Sequence, residues 1–336
     1  MRPTRRSFFN SLTLICALAA SALAAVLPRQ PAHARQGAAV PATQEPRVFH
    51  VTVTDSKGNL IEGVKRESVT AFDGGEPGEV VSFDAGDAPA SVMFLVDTSA
   101  SAFGLNRGGR GRQRIAAMKA AVSSFIAAGN PSNEYFVTAF NKSPQVLLDG
   151  SADSREVLGA LDRLASADLN GVTALYDALY LSLNRLARRP TRKHVLVLLS
   201  DGQENVSSYT LPQLTLELKE SDVIVYPVGV FLDGDSDIAF NARMFLEELA
   251  STSGGAVFYP GDEAEMKAAL SRIAVELRSQ YEVTLKPSSR AKSDGWHDVR
   301  FKLGELRDKR GRKVKAIVRA RRGFYEAGAP RKSKAD

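Results

Sequence analysis

Val92-Met93-Phe94-Leu95-Val96-Asp97-Thr98-Ser99-Ala100-Ser101 decides how the rest of the sequence is read. An unbroken apolar run ends in a carboxylate, and hydroxyls follow at alternate positions, Ser99 and Ser101. A run of this kind reads as a strand covered on both faces, as in a parallel sheet flanked by helices. The surrounding pattern agrees. Strands are predicted over 91–97, 134–141, 145–148, 193–200, 222–230 and 256–260, and helices over 112–128, 153–165, 174–188, 211–219, 240–252 and 263–279. The expected fold class is therefore α/β, with a doubly wound, mostly parallel sheet. Gln145–Leu148 follows the tight Asn141-Lys142-Ser143-Pro144 turn and is expected as an antiparallel edge strand.

On either side the chain changes character. Phe49–Thr54, Ser68–Phe72 and Glu79–Phe83 read as short strands before the α/β series, and Tyr281–Lys286, Trp296–Leu303 and Val314–Arg321 as strands after it. Neither group is large enough to close a core alone. Residues 47–88 and 280–325 are therefore expected to pack together as one small β-sandwich, with the α/β unit at 89–279 inserted between them. Trp296 and Tyr281 are expected in its core. Residues 35–46 read as a linker, and 326–336 as a polar, disordered tail.

The first 34 residues combine a basic start, an apolar stretch and a small-x-small end at Ala32-His33-Ala34, which is the pattern of a cleavable export signal. Arg5-Arg6-Ser7-Phe8-Phe9 resembles a twin-arginine signal, the alternatives being an ordinary secretory signal or an uncut anchor. The expected location is periplasmic or extracellular. The leader holds four of the 44 basic residues and no acids, which leaves 40 against 38 in the remainder. That balance, with no aromatic-interleaved basic face, argues against nucleic-acid binding. The basic 307–322 stretch alternates Val314, Ala316, Val318 and Ala320 with Lys and Arg, and reads as a strand with a charged outer face. Cys16, the one cysteine, lies in the leader, so a processed chain has no disulfide, thiolate or cysteine-held zinc.

In an open parallel sheet, ligands bind outside the carboxyl ends of the strands. Three segments are expected to meet there: Asp97-x-Ser99-x-Ser101, the Gly171-Val172-Thr173-Ala174-Leu175 loop and Ser200-Asp201-Gly202. Alternate spacing in an extended loop lets the two serine hydroxyls point the same way. Two carboxylates and three hydroxyls, without His or Cys, form a hard-oxygen set suited to Mg²⁺ or Mn²⁺. Neutral hydroxyl ligands leave most of the ion's charge uncancelled, so it seeks an anionic oxygen from outside.

The order Asp-x-Ser-x-Ser, Gly-x-Thr-Ala-Leu-Tyr-Asp-Ala and Ser-Asp-Gly-x-Glu resembles the von Willebrand factor type A domain over about residues 91–279, and the flanks resemble a bacterial exported subfamily of it. The resemblance implies a Rossmann-like fold and a metal-ion-dependent adhesion site at Asp97, Ser99, Ser101, Thr173 and Asp201. It also implies a protein partner whose acidic residue completes the coordination. Two positions depart from the family's usual pattern, Ala102 after the second serine and Ser200 before the aspartate; neither removes a ligand. Arg107, Arg110, Arg112 and Arg114 form a basic cluster beside the site, read either as an attraction for an acidic partner or as a solvated loop. The expected function is a non-enzymatic, Mg²⁺-dependent binding, adhesion or scaffold module. The alternatives are a Mg²⁺-dependent phosphatase-like hydrolase with Asp97 as nucleophile, or a structural protein with a vestigial metal site. The phosphatase reading needs a second carboxylate two residues on, where this chain has Ser99. Asp177, His50, His194 and His297 are read as structural.

Overall fold

The apolar runs that read as doubly covered strands lie side by side at the centre of a sheet. The computed structural model describes residues 45–103, 111–166, 172–230, 237–291, 295–307 and 311–326. The leader, residues 327–336 of the tail, Arg107 and Arg110 lie outside the described residues. Along the chain run β1 (Arg47–Asp55), β2 (Val69–Asp73), β3 (Glu76–Ala85), β4 (Ala90–Asp97), α1 (Ala100–Phe103), α2 (Gly111–Ala128), β5 (Glu134–Phe140) and β6 (Pro144–Ser151). There follow α3 (Ser154–Asp162), α4 (Leu175–Leu186), β7 (Lys193–Ser200), α5 (Leu211–Glu220), β8 (Ile224–Gly229), α6 (Asp237–Ser253) and α7 (Glu263–Arg278). The last strands are β9 (Tyr281–Lys286), β10 (Trp296–Leu303), β11 (Leu306–Arg307), β12 (Lys313–Val314), β13 (Ala316–Arg319) and β14 (Gly323–Tyr325).

The α/β sheet has the order β6-β5-β4-β7-β8. The last four of these are parallel, and β6 is the antiparallel edge expected from its turn. Every residue of β4 and β7 is buried. Alternate side chains feed two cores: Val92, Phe94 and Val96 pack on the side of α2, α3 and α7, and Met93 and Leu95 on the side of α4, α5 and α6. The chain leaves β4 toward β5 and later returns to its other side as β7. The strand order therefore reverses between β4 and β7, which is where a ligand crevice opens.

The flanking strands share one seven-stranded sheet, ordered β13-β1-β9-β3-β2-β10-β14. The C-terminal β9 lies between the N-terminal β1 and β3, in antiparallel register with both. The shared core is as expected, but its form corrects the expected sandwich: a single sheet curls on itself. Phe49 of β1 meets Phe301 of β10 and Phe324 of β14 edge-on, at 5.4 and 6.2 Å, although those strands are far apart in the sheet order. Tyr281 is buried; Trp296 is half-buried, against Tyr325.

Two expected strands are also corrected. Residues 256–260 make only an isolated bridge, Phe258 to Val228. Pro227 offers no N–H there and Pro260 ends the segment. The strand expected over Val314–Arg321 is split, with β12 pairing with β11 and β13 with β1. Its outer face is not uniformly solvated either, because Arg319 turns inward.

Arg319 meets a buried carboxylate that joins the two layers. Glu276 of α7, only 2% exposed, accepts from Tyr226 Oη of β8 at 2.8 Å, Thr52 Oγ1 of β1 at 3.2 Å and Arg319 Nη2 of β13 at 2.6 Å. The Gln280 amide donates to both Thr52 Oγ1 and Tyr226 Oη, each at 3.2 Å. Glu276→Ala leaves the guanidinium and both hydroxyls without their acceptor and is expected to cost about 3 kcal/mol, read from the urea midpoint, with Glu276→Gln costing less. His50, whose Nε2 lies 3.0 Å from the Arg192 carbonyl, is held down to about 4 by burial and then by the Lys193 charge. The folded chain keeps this ring neutral while the unfolded chain protonates it, so stability falls as the pH drops from about 6.5 toward 4. The slope of unfolding free energy against pH across that window is expected to be shallower in His50→Gln.

Candidate metal centre

β4 and β7 are adjacent and parallel, in the register Val96 to Leu199, so the residues that end them emerge side by side. Asp97 is 1% exposed and Asp201 is 3% exposed. The Asp97 carboxylate is held on both oxygens: Oδ1 accepts from the Ser99 N–H at 2.8 Å and Oδ2 from Ser200 Oγ at 2.6 Å. Ser200, the departure noted in the sequence, thus supplies a hydroxyl that orients Asp97. Thr98 fixes the loop to the end of β5, its N–H and Oγ1 both reaching the Phe140 carbonyl.

The hydroxyls of Ser99 and Ser101 are 3.2 Å apart. They converge as expected, but for a different reason. The loop is not extended; it enters the short turn α1, with the Ala102 N–H on Ser99 Oγ at 3.4 Å. Arg114 Nη1 reaches the Ala102 carbonyl at 3.4 Å and ties α2 to this turn. The Arg112 side chain lies outside the described residues.

Thr173 is buried, and its backbone is bound to the loop that follows Asp201. Its N–H donates to Asn205 Oδ1 at 2.7 Å and its carbonyl accepts from the Asn205 N–H at 3.0 Å. On the other side the Ala174 N–H meets the Asn141 carbonyl at 2.6 Å. α4 has no side-chain cap of its own. Glu204 serves instead, accepting from the Tyr176 N–H at 2.9 Å and from Ser207 Oγ at 2.7 Å, where a carboxylate also suits the helix dipole. Glu204 and Asn205 were assigned no role from the sequence. Their signal was the acidic residue in Asp-Gly-x-Glu, which has no meaning until the two loops are adjacent. Asp177 is structural as read, accepting from the Tyr209 N–H at 2.8 Å.

Asp201 accepts from the Gln203 N–H at 3.0 Å and from Gln203 Nε2 at 3.1 Å. The turn then passes close to α6 at Gly202, where φ is +76° and an added Cβ would lie 3.2 Å from Ala242 and Leu246 atoms. A side chain there is both strained and crowded.

The electrostatics single out this edge. The Asp97 carboxyl is pushed up to about 7, first by burial and then by the Asp201 charge, against the hydrogen bonds from Ser200 and Ser99. Two buried carboxylates within reach of each other oppose ionisation, and a cation relieves that opposition. Among the described residues no group of three or more His, Cys, Asp or Glu side chains could hold a metal. The donor set is thus two carboxylates with hydroxyls, and it fits a hard, oxygen-seeking cation. The histidines have other partners: His194 with Asp222 at 2.8 Å, His297 with Asp73 at 2.9 Å.

Residues 92–203 match the family model of the von Willebrand factor type A domain. The chain carries a von Willebrand factor type A domain. No curated protein matches the chain. Among solved structures it is similar to the PilB minor pilin from Streptococcus sanguinis, at 14% identity and a TM-score of 0.46, over 58% of this chain and 62% of that one. It is similar to proximal thread matrix protein 1 from the mussel byssus, described with a zinc-occupied MIDAS motif, at 20% identity and a TM-score of 0.43, over 61% of this chain and 49% of that one. It is also similar to the vWF domain of the type V pili tip protein Mfa5 from Porphyromonas gingivalis, at 14% identity and a TM-score of 0.44, over 56% and 94%. The chain thus spans about three fifths of the pilin chain and half of the byssus protein.

Within the von Willebrand factor type A domain, the repulsion between Asp97 and Asp201 gives a direct test. Asp97→Asn keeps an acceptor for Ser99 and removes the charge. In chelator it is expected to melt at a higher temperature than the unaltered chain, by roughly 1 kcal/mol of stability. An equal or lower melting temperature would mean that the two carboxylates do not oppose each other.

Proposed function

We infer that this is an exported, non-enzymatic module that binds a protein partner through a divalent cation, Mg²⁺ or its near relative Mn²⁺. Asp97, Ser99, Ser101, Thr173 and Asp201 would hold the ion. The observation that carries this reading is the pair of buried carboxylates at the ends of β4 and β7, with the Ser99 and Ser101 hydroxyls converged beside them. When bound, the cation supplies positive charge and an open position for an anionic oxygen. The hydroxyls cancel none of that charge, and the hydrogen bonds to Asp97 and Asp201 fix the carboxylates in place. The partner would contribute a carboxylate from Asp or Glu.

The hydrolase reading finds less support. Asp97 is buried, both its oxygens are engaged, and the position two residues on is Ser99. Export rests on the leader sequence. No helix among the described residues is long and apolar enough to cross a membrane.

Calorimetric titration of Mg²⁺ and Mn²⁺ into chelator-stripped protein tests the reading. Saturable one-site binding is expected, lost in Asp97→Ala and Ser99→Ala with an unchanged circular dichroism spectrum. Binding that survives both substitutions, or no binding of either ion to the unaltered chain, contradicts it.

A further inference from the structure

The α/β sheet extends past the helix that covers one of its faces. α4 packs on β4 and β7, whereas α3 covers β5 and β6 only from the opposite side. Between α4 and the overhanging strands lies an open groove of about 560 Å³. Its walls are Thr138, Pro144 and Val146 on the sheet and Leu181, Arg185 and Arg188 on and just beyond α4. Leu181 and Arg185 share one face of α4 by their spacing, and Arg188 lies in the turn after it.

The groove has two chemical characters. Val146 and Leu181 are 47% and 46% exposed, an aliphatic pair left facing water. Arg185, Arg188 and Arg189 line the same groove, and among the described residues the one acid paired with them is Asp149. Asp149 of β6 takes both Arg185 and Arg189 on its Oδ1, the latter at 2.6 Å. The Arg189 guanidinium also lies 4.4 Å from the Phe136 ring centroid. Two guanidiniums are therefore fixed, while Arg188 has no hydrogen bond or ion pair among the described residues.

We propose that this groove is a second, metal-independent docking surface for a peptide segment of a partner protein that carries an acidic side chain next to an aliphatic or aromatic one. The partner's carboxylate would lie against Arg188, with Arg185 behind it, and its apolar neighbour would cover Val146 and Leu181. Charge selects an anion, because among the described residues three guanidiniums meet one carboxylate. The aliphatic floor selects an apolar neighbour and offers no aromatic face for a nucleobase, since Arg189 covers Phe136. Recognition would run through side chains rather than an added strand. β6 shifts register twice against β5, and the Leu147 carbonyl is taken by Arg163, devices that blunt a sheet edge.

The test is selection of random twelve-residue phage-displayed peptides on the immobilised chain in EDTA, followed by fluorescence polarisation of the most enriched peptide. Enriched sequences are expected to place Asp or Glu within two positions of Leu, Ile, Val, Met or Phe. The peptide should bind Arg188→Glu and Leu181→Ser at least tenfold more weakly, and Asp97→Ala unchanged. Both groove substitutions are at exposed positions, and an unchanged melting temperature confirms that the variants fold. No enrichment over the bare support, enrichment without an acidic residue, or equal binding to Arg188→Glu overturns the proposal. Loss of binding in Asp97→Ala would place the peptide at the metal centre and overturn it as well.

Discussion

Two carboxylates that no apolar core would tolerate alone lie buried at the ends of neighbouring parallel strands. Asp97 and Asp201 are there because β4 and β7 are the strands between which the chain reverses direction. Burying them side by side is unfavourable, and the surrounding loops are built to hold them regardless. Ser200, the Ser99 N–H and Gln203 fix their oxygens, Thr98 anchors one loop to β5, and Asn205 anchors another to Thr173. An arrangement that gathers negative charge in a water-poor place, and leaves hydroxyls beside it, is suited to a cation.

The sheet that positions these residues depends on contacts well away from them. β4 and β7 stay level because both faces are covered, and α7 on one face is held by Glu276. That carboxylate draws on β8, β1 and β13 together. The curled flanking sheet therefore does more than bury its own core: it clamps the helix that closes the α/β layer. Since β9 sits between β1 and β3, the strands before and after the α/β series hold one another in place.

What the sequence made legible followed from short-range rules. The runs at 91–97 and 193–200 were unambiguous because a strand covered on both faces has no polar side, and β7 is found as Lys193–Ser200. Asp97, Ser99 and Ser101 were visible as a group because they are adjacent in the chain. The features that escaped were long-range or depended on backbone detail. Arg319 sits in a stretch whose alternation reads as a charged outer face, and only packing shows that its partner is Glu276, 43 positions away. Whether seven strands stack as two layers or curl as one depends on contacts such as Phe49 with Phe301, which no periodicity encodes. Glu204 stands in the Ser-Asp-Gly-x-Glu motif, but its role is not legible there, because the uncapped start of α4 that it serves belongs to another loop.

The central claim is that a cation belongs among Asp97, Ser99, Ser101, Thr173 and Asp201. Anomalous diffraction from crystals of the chain soaked in Mn²⁺ locates the ion directly. The account predicts one strong anomalous peak between the ends of β4 and β7, in contact with the Ser99 and Ser101 hydroxyls and close to both aspartates. A peak elsewhere, or none at this edge at saturating Mn²⁺, would contradict it.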